Sequence, residues 1–193
     1  DSVVLLQKAG HGSGFYISSE GHILTNAHVV GNADRMRIVT SRKEEKLVAN
    51  VLRIDRKRDV ALLKLESLPN GRPVKPLPIS LRKPAVGDDV YVIGAPSYTR
   101  LQDTVTKGIV SAHRFDRKTK QPVIQADADV HGGNSGGPLL DEYGNVIGIT
   151  VSSYIDGDGS LSGLNNFIPI GDALEKLDIT AKGDAQFKPI GLE

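Results

Sequence analysis

The sequence predicts an all-β protein made of two six-stranded antiparallel β-barrels followed by a short C-terminal helix. Three observations carry that expectation. Glycine, at 21 of 193 residues, and proline, at 10, punctuate the chain with turn signals, the glycine share standing above the average of about 7%. Between those signals lie about twelve short runs of β-branched and aromatic residues, against one credible helix. Near the middle, Leu68-Pro69-Asn70-Gly71-Arg72-Pro73-Val74-Lys75-Pro76-Leu77-Pro78 is too rich in proline to join a central strand, so the runs divide into two groups of about six. Short strands left in open sheets would expose their edges, and closing each group into a barrel removes them.

The first group comprises residues 1–6, 14–18, 22–25, 36–40, 47–54 and 60–65. The second comprises 89–93, 105–111, 122–126, 137–140, 146–151 and 166–170. The helix is expected to begin at Asp172, with Glu175 three residues later giving a capping-box spacing ahead of the apolar Leu174 and Leu177. On this division residues 1–78 form the first barrel, 79–179 the second barrel with its helix, and 180–193 a polar tail or linker. No internal repeat is visible. The charge runs Arg42-Lys43-Glu44-Glu45-Lys46 and Arg56-Lys57-Arg58 read as solvated loop faces.

Composition narrows the function classes. With 39% hydrophobic and 24% charged residues the chain lies in the globular range, which excludes disorder and collagen. The absence of cysteine excludes a thiol nucleophile, a thiolate zinc site and a disulfide scaffold. Lysine plus arginine, 24, nearly balances aspartate plus glutamate, 23, so no global field draws in nucleic acid and no nucleic-acid partner is expected. Apolar runs such as Val3-Val4-Leu5-Leu6 fall short of the roughly 18 residues of a membrane span. No membrane span is expected in this stretch, and the chain opens on a strand rather than a signal peptide, as if a leader or anchor had been cut away. His11, His22 and His113 lack ligand spacing with carboxylates. Asp156-Gly157-Asp158-Gly159-Ser160 has Phe167 where a calcium loop needs its twelfth-position glutamate. No cofactor and no catalytic metal are expected.

The sharpest chemical feature is Gly132-Gly133-Asn134-Ser135-Gly136-Gly137-Pro138, one serine among four glycines ahead of an apolar strand. A nucleophilic serine needs a backbone that exposes its hydroxyl and aims neighbouring amides at one point, which glycines permit. Gly133 and Ser135 are placed to supply those two amides. Such a serine also needs a base and a group to orient it. His28, in Leu24-Thr25-Asn26-Ala27-His28-Val29-Val30, follows a strand and has small residues before it. Asp59 stands at the mouth of the apolar strand Val60-Ala61-Leu62-Leu63-Lys64-Leu65. Taken singly, His28 reads equally well as a packed histidine and Asp59 as a strand-start turn residue.

Together these segments resemble the trypsin-like serine peptidases and, within them, the bacterial HtrA (DegP-like) branch. The resemblance rests on Gly12-Ser13-Gly14-Phe15, on Ile23-Leu24-Thr25-Asn26-Ala27-His28-Val29-Val30, on Asp59-Val60-Ala61-Leu62-Leu63-Lys64 and on Gly133-Asn134-Ser135-Gly136-Gly137-Pro138-Leu139, and it extends from about residue 10 to 177. It implies a two-barrel serine endopeptidase in which Ser135 attacks the scissile carbonyl, His28 carries the proton, Asp59 orients the imidazole, and the Gly133 and Ser135 amides hold the oxyanion. Hydrolysis of unfolded or exposed polypeptide in protein quality control, a periplasmic or secreted location, assembly into trimers and a peptide-binding domain downstream are further implications of the resemblance.

Asn134 stands where digestive relatives carry an aspartate that pairs with a cut N-terminus, so activation by clipping a propeptide is not expected. Asp129, six residues before Ser135, would favour a basic side chain before the scissile bond if it lines the primary pocket; alternatively it turns outward and Asn165, Asn166 and Phe167 narrow the pocket. His131 either meets substrate or faces solvent. Ser152 and Ser153 are expected to offer a backbone edge to an extended substrate. The competing class is a catalytically silent two-barrel homologue serving as a protein-binding module.

Overall fold

A computed structural model describes residues 2–7, 11–40, 47–94, 104–116, 119–151 and 163–180. The strands β1 (Val3–Gln7), β2 (His11–Tyr16), β3 (His22–Thr25), β4 (Arg35–Val39), β5 (Leu47–Asp55) and β6 (Val60–Leu65) close an antiparallel barrel in the order β1-β2-β3-β6-β5-β4. A single helical turn, α1 (Ala27–Val30), lies between β3 and β4. The strands β7 (Asp89–Gly94), β8 (Thr104–Asp116), β9 (Gln121–Ala126), β10 (Pro138–Asp141), β11 (Val146–Thr150) and β12 (Asn165–Pro169) close a second barrel in the order β10-β11-β12-β9-β8-β7, and α2 (Ile170–Lys176) follows. The two closed six-stranded barrels and the short final helix are those the sequence predicts.

Alternation along the strands sorts their side chains. In β4, Arg35 and Arg37 are exposed while Met36 and Ile38 are buried, the period of two that gives a strand one wet and one dry face. In β6 the run Val60-Ala61-Leu62-Leu63 is buried throughout because both faces are covered. Ala61, Leu63 and Leu65 point into the first barrel with Leu6, Tyr16 and Ile38, while Val60 and Leu62 join a second cluster outside it. That outer cluster is a seam: Val3, Phe15 and Leu24 of the first barrel meet Leu140, Val146, Ile149 and Ile168 of the second, with Ile170, Ala173 and Leu174 of α2. The second barrel has its own interior of Val90, Val92, Val110, Ile124, Leu139 and Phe167. Each fully buried Leu, Ile or Phe in these clusters contributes about 1.5–3 kcal/mol of apolar transfer energy before conformational entropy opposes it.

The proline-rich connection is stitched to both barrels. Leu77 N–H donates to the Tyr16 carbonyl at 2.9 Å and Val74 N–H to that of Ser19 at 3.1 Å, and then Ser80 N–H donates to the Val146 carbonyl at 2.9 Å, beside a parallel bridge between Ile79 and Val146. β8 is longer than its β-branched run indicates. A register shift between Val110 and Ala112 bends it so that it pairs with both β7 and β9.

Two expectations are corrected. α2 starts at Ile170, directly off Pro169, and no side chain caps it. The Asp172 carboxylate meets Arg58 Nε at 2.6 Å instead, because a buried guanidinium competes better for a carboxylate than a solvated amide does. Arg58 itself was expected on a solvated face; Arg56 and Lys57 are exposed, but Arg58 is 4% exposed. Residues beyond Thr180, which carry most of the expected tail, lie outside the described residues. Among the described residues no helix is long and apolar enough to cross a membrane.

Candidate active site

The first barrel contributes a histidine and a carboxylate. In α1, Ala27, Val29 and Val30 turn inward, leaving His28 facing out with 47% of its side chain exposed. Gly31, at φ 61°, ends the turn by donating its N–H to the Ala27 carbonyl at 2.9 Å. Asp59 closes the turn between β5 and β6 in the left-handed region, φ 65°. There its Oδ1 accepts from His28 N–H at 2.8 Å and its Oδ2 lies 2.7 Å from His28 Nδ1. Asn26 Nδ2 donates to the Asp59 carbonyl at 3.0 Å. A carboxylate can only accept, so Nδ1 carries the proton in neutral His28 and Nε2 is left with its lone pair.

The second barrel contributes the glycine-framed serine on the connection from β9 to β10. Ser135 is 7% exposed and Asn134 is 1% exposed. The first barrel holds this turn directly. Ser13 N–H donates to the Ser135 carbonyl at 2.8 Å, Ser13 Oγ donates to the Gly133 carbonyl at 2.7 Å, and Thr25 Oγ1 donates to the Ser13 carbonyl at 2.7 Å. Gly136, at φ 85°, fits where a Cβ would come within 2.3 Å of both the Ser13 carbonyl oxygen and Thr25 Oγ1 and 3.1 Å from Asn26 N. Gly136 N–H and Thr150 N–H tie the other side to β11 through the Thr150 and Gly137 carbonyls, each at 2.9 Å. Ser135 is thus seated on β2 through Ser13, with Gly136 packed on Thr25 and Asn26, which lead into the turn that carries His28.

Gly133 has φ 100°, a conformation open to glycine at no steric cost. Among the described residues its N–H donates to no backbone carbonyl. The turn is tightened by Asn134 N–H donating to the His131 carbonyl at 3.0 Å. Gly94 has no room for a Cβ because Asn134 packs against it.

The residues expected around the substrate are more dispersed. Asp129 and His131 are both exposed, and the Asp129 carbonyl accepts from Thr106 Oγ1 at 2.6 Å. Phe167 is fully buried inside the second barrel, so it cannot narrow a pocket at the surface. Asn165 Nδ2 donates to the Ala128 carbonyl at 2.9 Å, tying β12 to the segment before the serine turn. Ser152, Ser153 and the 156–160 segment considered as a calcium loop lie outside the described residues. No group of three or more His, Asp or Glu among the described residues is arranged to hold a metal ion. Ser13, Thr25 and Asn26 support the site, and sequence reasoning gave them no role. Their sequence signals are that Ser13 lies between two glycines and that all three fall inside the segments that carry the family resemblance.

Paired six-stranded barrels with this strand order, joined across an apolar seam, are the fold of the trypsin-like peptidases. The chain belongs to the trypsin-like peptidase domain family, which it matches over residues 12–149. It is 42% identical over 166 residues to a probable periplasmic serine endoprotease, DegP-like, of Pseudomonas putida (strain GB-1), covering 85% of this chain and 33% of that protein. It is 37% identical over 174 residues to Protease Do-like 1, chloroplastic, of Arabidopsis thaliana, covering 86% of this chain and 38% of that one. A DegP-like relative from Halomonas elongata is 40% identical over 169 residues, covering 86% of the chain and 34% of the relative. The chain spans about one third of the length of these curated relatives. Family and relatives alike fit a serine-type endopeptidase.

Proposed function

We propose that these residues form the catalytic part of an HtrA-type serine endopeptidase, with Ser135 as nucleophile, His28 as general base and then general acid, and Asp59 as the carboxylate that fixes the imidazole. The observation that carries the reading is the 2.7 Å contact of Asp59 Oδ2 with His28 Nδ1 in the same barrel whose β2 bonds the Ser135 turn through Ser13. It leaves Nε2 free to take the serine proton, and the carboxylate then stabilises the imidazolium formed as Oγ attacks the carbonyl carbon. The Gly133 and Ser135 amides receive the negative charge that develops on the carbonyl oxygen; losing one such donor costs on the order of 10²–10³ in turnover. As the tetrahedral intermediate collapses, His28 returns the proton to the leaving amine, and water releases the acyl group by the same steps.

The substrate is an extended segment of unfolded or exposed polypeptide, with Ser152 and Ser153, outside the described residues, and the exposed His131 as candidate contacts. Asp129 selects a basic side chain if substrate covers it. The name of the Pseudomonas relative supports a periplasmic or secreted setting; a role in protein quality control and assembly into trimers rest on the HtrA resemblance alone. The division at residues 1–78 and 79–179 assigns the base and carboxylate to one barrel and the nucleophile to the other.

Reaction with a fluorophosphonate probe tests the reading. The wild type is expected to be labelled and to cleave casein, while Ser135→Ala keeps its fold and does neither. A folded wild type that fails to label supports the catalytically silent binding module, and casein turnover by Ser135→Ala overturns the assignment of the nucleophile.

A further inference from the structure

Arg58 immediately precedes Asp59 in the β5–β6 turn of the first barrel, yet its guanidinium is spent entirely on the second. Nε meets Asp172 Oδ2 at 2.6 Å, the first η nitrogen donates to Gln121 Oε1 at 2.7 Å, and the second donates to the Pro122 carbonyl at 2.6 Å. Its side chain is 2% exposed. The backbone of the same residue is fixed as well, its N–H donating to Asp55 Oδ1 at 2.7 Å. Burial lowers the Arg58 pKa, and the carboxylates of Asp172, Asp116, Asp55 and Asp59 offset that shift.

A cation is taken out of water only where it is paired and hydrogen-bonded. Here two acceptors take the η nitrogens and the Asp172 carboxylate pairs with Nε by charge rather than by an aligned hydrogen bond, an arrangement that suits a guanidinium better than an ammonium. The neighbouring Asp59 is a non-glycine residue at φ 65°, a conformation that costs free energy and persists only where the surroundings over-determine it. Its side chain and carbonyl are held from the α1 side by His28 and Asn26. The residue that leads into it, Arg58, is held by Asp55 at its N–H and by the second barrel at its side chain.

We propose that Arg58 is a positioning residue for the His28–Asp59 pair, a cross-barrel clamp that keeps the Asp59 carboxylate in register with His28 Nδ1 by anchoring the β5–β6 turn to the start of β9 and to α2. It touches no reacting atom and acts through Asp59. The proposal rests on the catalytic reading above for its kinetic consequence. Its structural consequence, order at the Asp59–His28 contact, stands without that reading.

Arg58→Met removes the charge, its ion pair and its two side-chain hydrogen bonds while filling much of the space. The expected result is a fall in kcat of about 10-fold to 100-fold, the scale set by small misplacements of a catalytic group, with KM changed less than about twofold because no substrate contact is lost. The low-field proton NMR signal of the His28 Nδ1–H, sharp in the wild type, is expected to broaden or vanish. A small guanidinium salt at non-denaturing concentration should restore both in Arg58→Ala, and sodium chloride at equal ionic strength should not. If Arg58→Met is too unstable to study, Asp172→Asn and Gln121→Leu each remove one arm of the clamp and should give intermediate losses of the same two signals. A folded Arg58→Met, or folded single-arm variants, with unchanged kcat and an unchanged His28 signal overturns the proposal and leaves Arg58 a strut. A wild type that shows the His28 signal but does not label with fluorophosphonate breaks the catalytic reading alone, and the NMR comparison still decides the clamp.

Discussion

The two barrels share a topology but hold their functional residues by different means. The first fixes His28 and Asp59 through side chains: a carboxylate on an imidazole, an asparagine amide on a carbonyl, one helical turn packed by Ala27, Val29 and Val30. The second fixes Ser135 mainly through backbone, in a turn whose carbonyls and amides bond Ser13 and Thr150, with the Ser13 hydroxyl added on the Gly133 carbonyl. Proton transfer depends on the direction of individual lone pairs, which side chains set. Oxyanion binding depends on the direction of peptide planes, which glycine-rich backbone sets. The chemistry asked of each barrel accounts for the device each uses.

Substitutions can break this contrast in descending order of effect. Asp59→Asn keeps the shape of the first barrel's pair but presents an amide to Nδ1, which favours the wrong tautomer; kcat on a peptide substrate should fall by about 10⁴ with little change in thermal midpoint. Gly136→Ala attacks the second barrel's backbone device. Its Cβ meets the Ser13 carbonyl and Thr25 Oγ1 at 2.3 Å in a left-handed conformation, so a loss of about 2–4 kcal/mol in chemical denaturation should accompany a fall in kcat of about 10² or more. Equal stability in that variant would show the turn to be looser than its contacts imply.

Ser13→Ala removes only the hydroxyl that holds the Gly133 carbonyl and leaves the bond from Ser13 N–H to Ser135 in place. A fall of about tenfold in kcat is expected, within the range of a single oxyanion donor, and unchanged turnover would mean that backbone alone suffices. The smallest effect lies away from the seam. His22, buried and 2.6 Å from Ser18 Oγ, has its pKa lowered first by burial and then by Lys64, with Glu20 opposing. The unfolded chain therefore binds a proton near the ordinary value of about 6.5 before the folded one does. His22 stabilisation is complete above that value and is lost as pH falls toward the lowered folded pKa. The drop in urea midpoint between about pH 7.5 and about pH 5.5 should be smaller in His22→Gln than in the wild type.

The strands were legible because period-two alternation and flanking turn residues are local signals; Met36 and Ile38 between arginines need no partner to be read. The glycines around Ser135 were legible for the same reason. Three features were not. The α1 turn is short and half valine, so no helical period shows in the sequence and the segment reads only as following a strand; it is helical because Gly31 ends it and the barrel buries three of its four side chains. Asp172 resembles a cap in sequence, but Arg58, more than a hundred positions earlier, claims its carboxylate. Arg58 sits in a run of three basic residues, and nothing local distinguishes the one that turns inward from the two that remain in water. Each miss is a long-range interaction overriding a short-range rule.

The apolar seam also sets an order of events at synthesis. Strands β1 to β6 can close and bury their interior as they leave the ribosome, carrying a paired histidine and carboxylate with no nucleophile nearby. The serine turn is synthesised later, and its bonds to Ser13 lie across the seam that the second barrel forms with Val3, Phe15 and Leu24. On the proposed mechanism, a chain cut short before Ser135 is expected to label with no fluorophosphonate and to cleave no neighbour it emerges among.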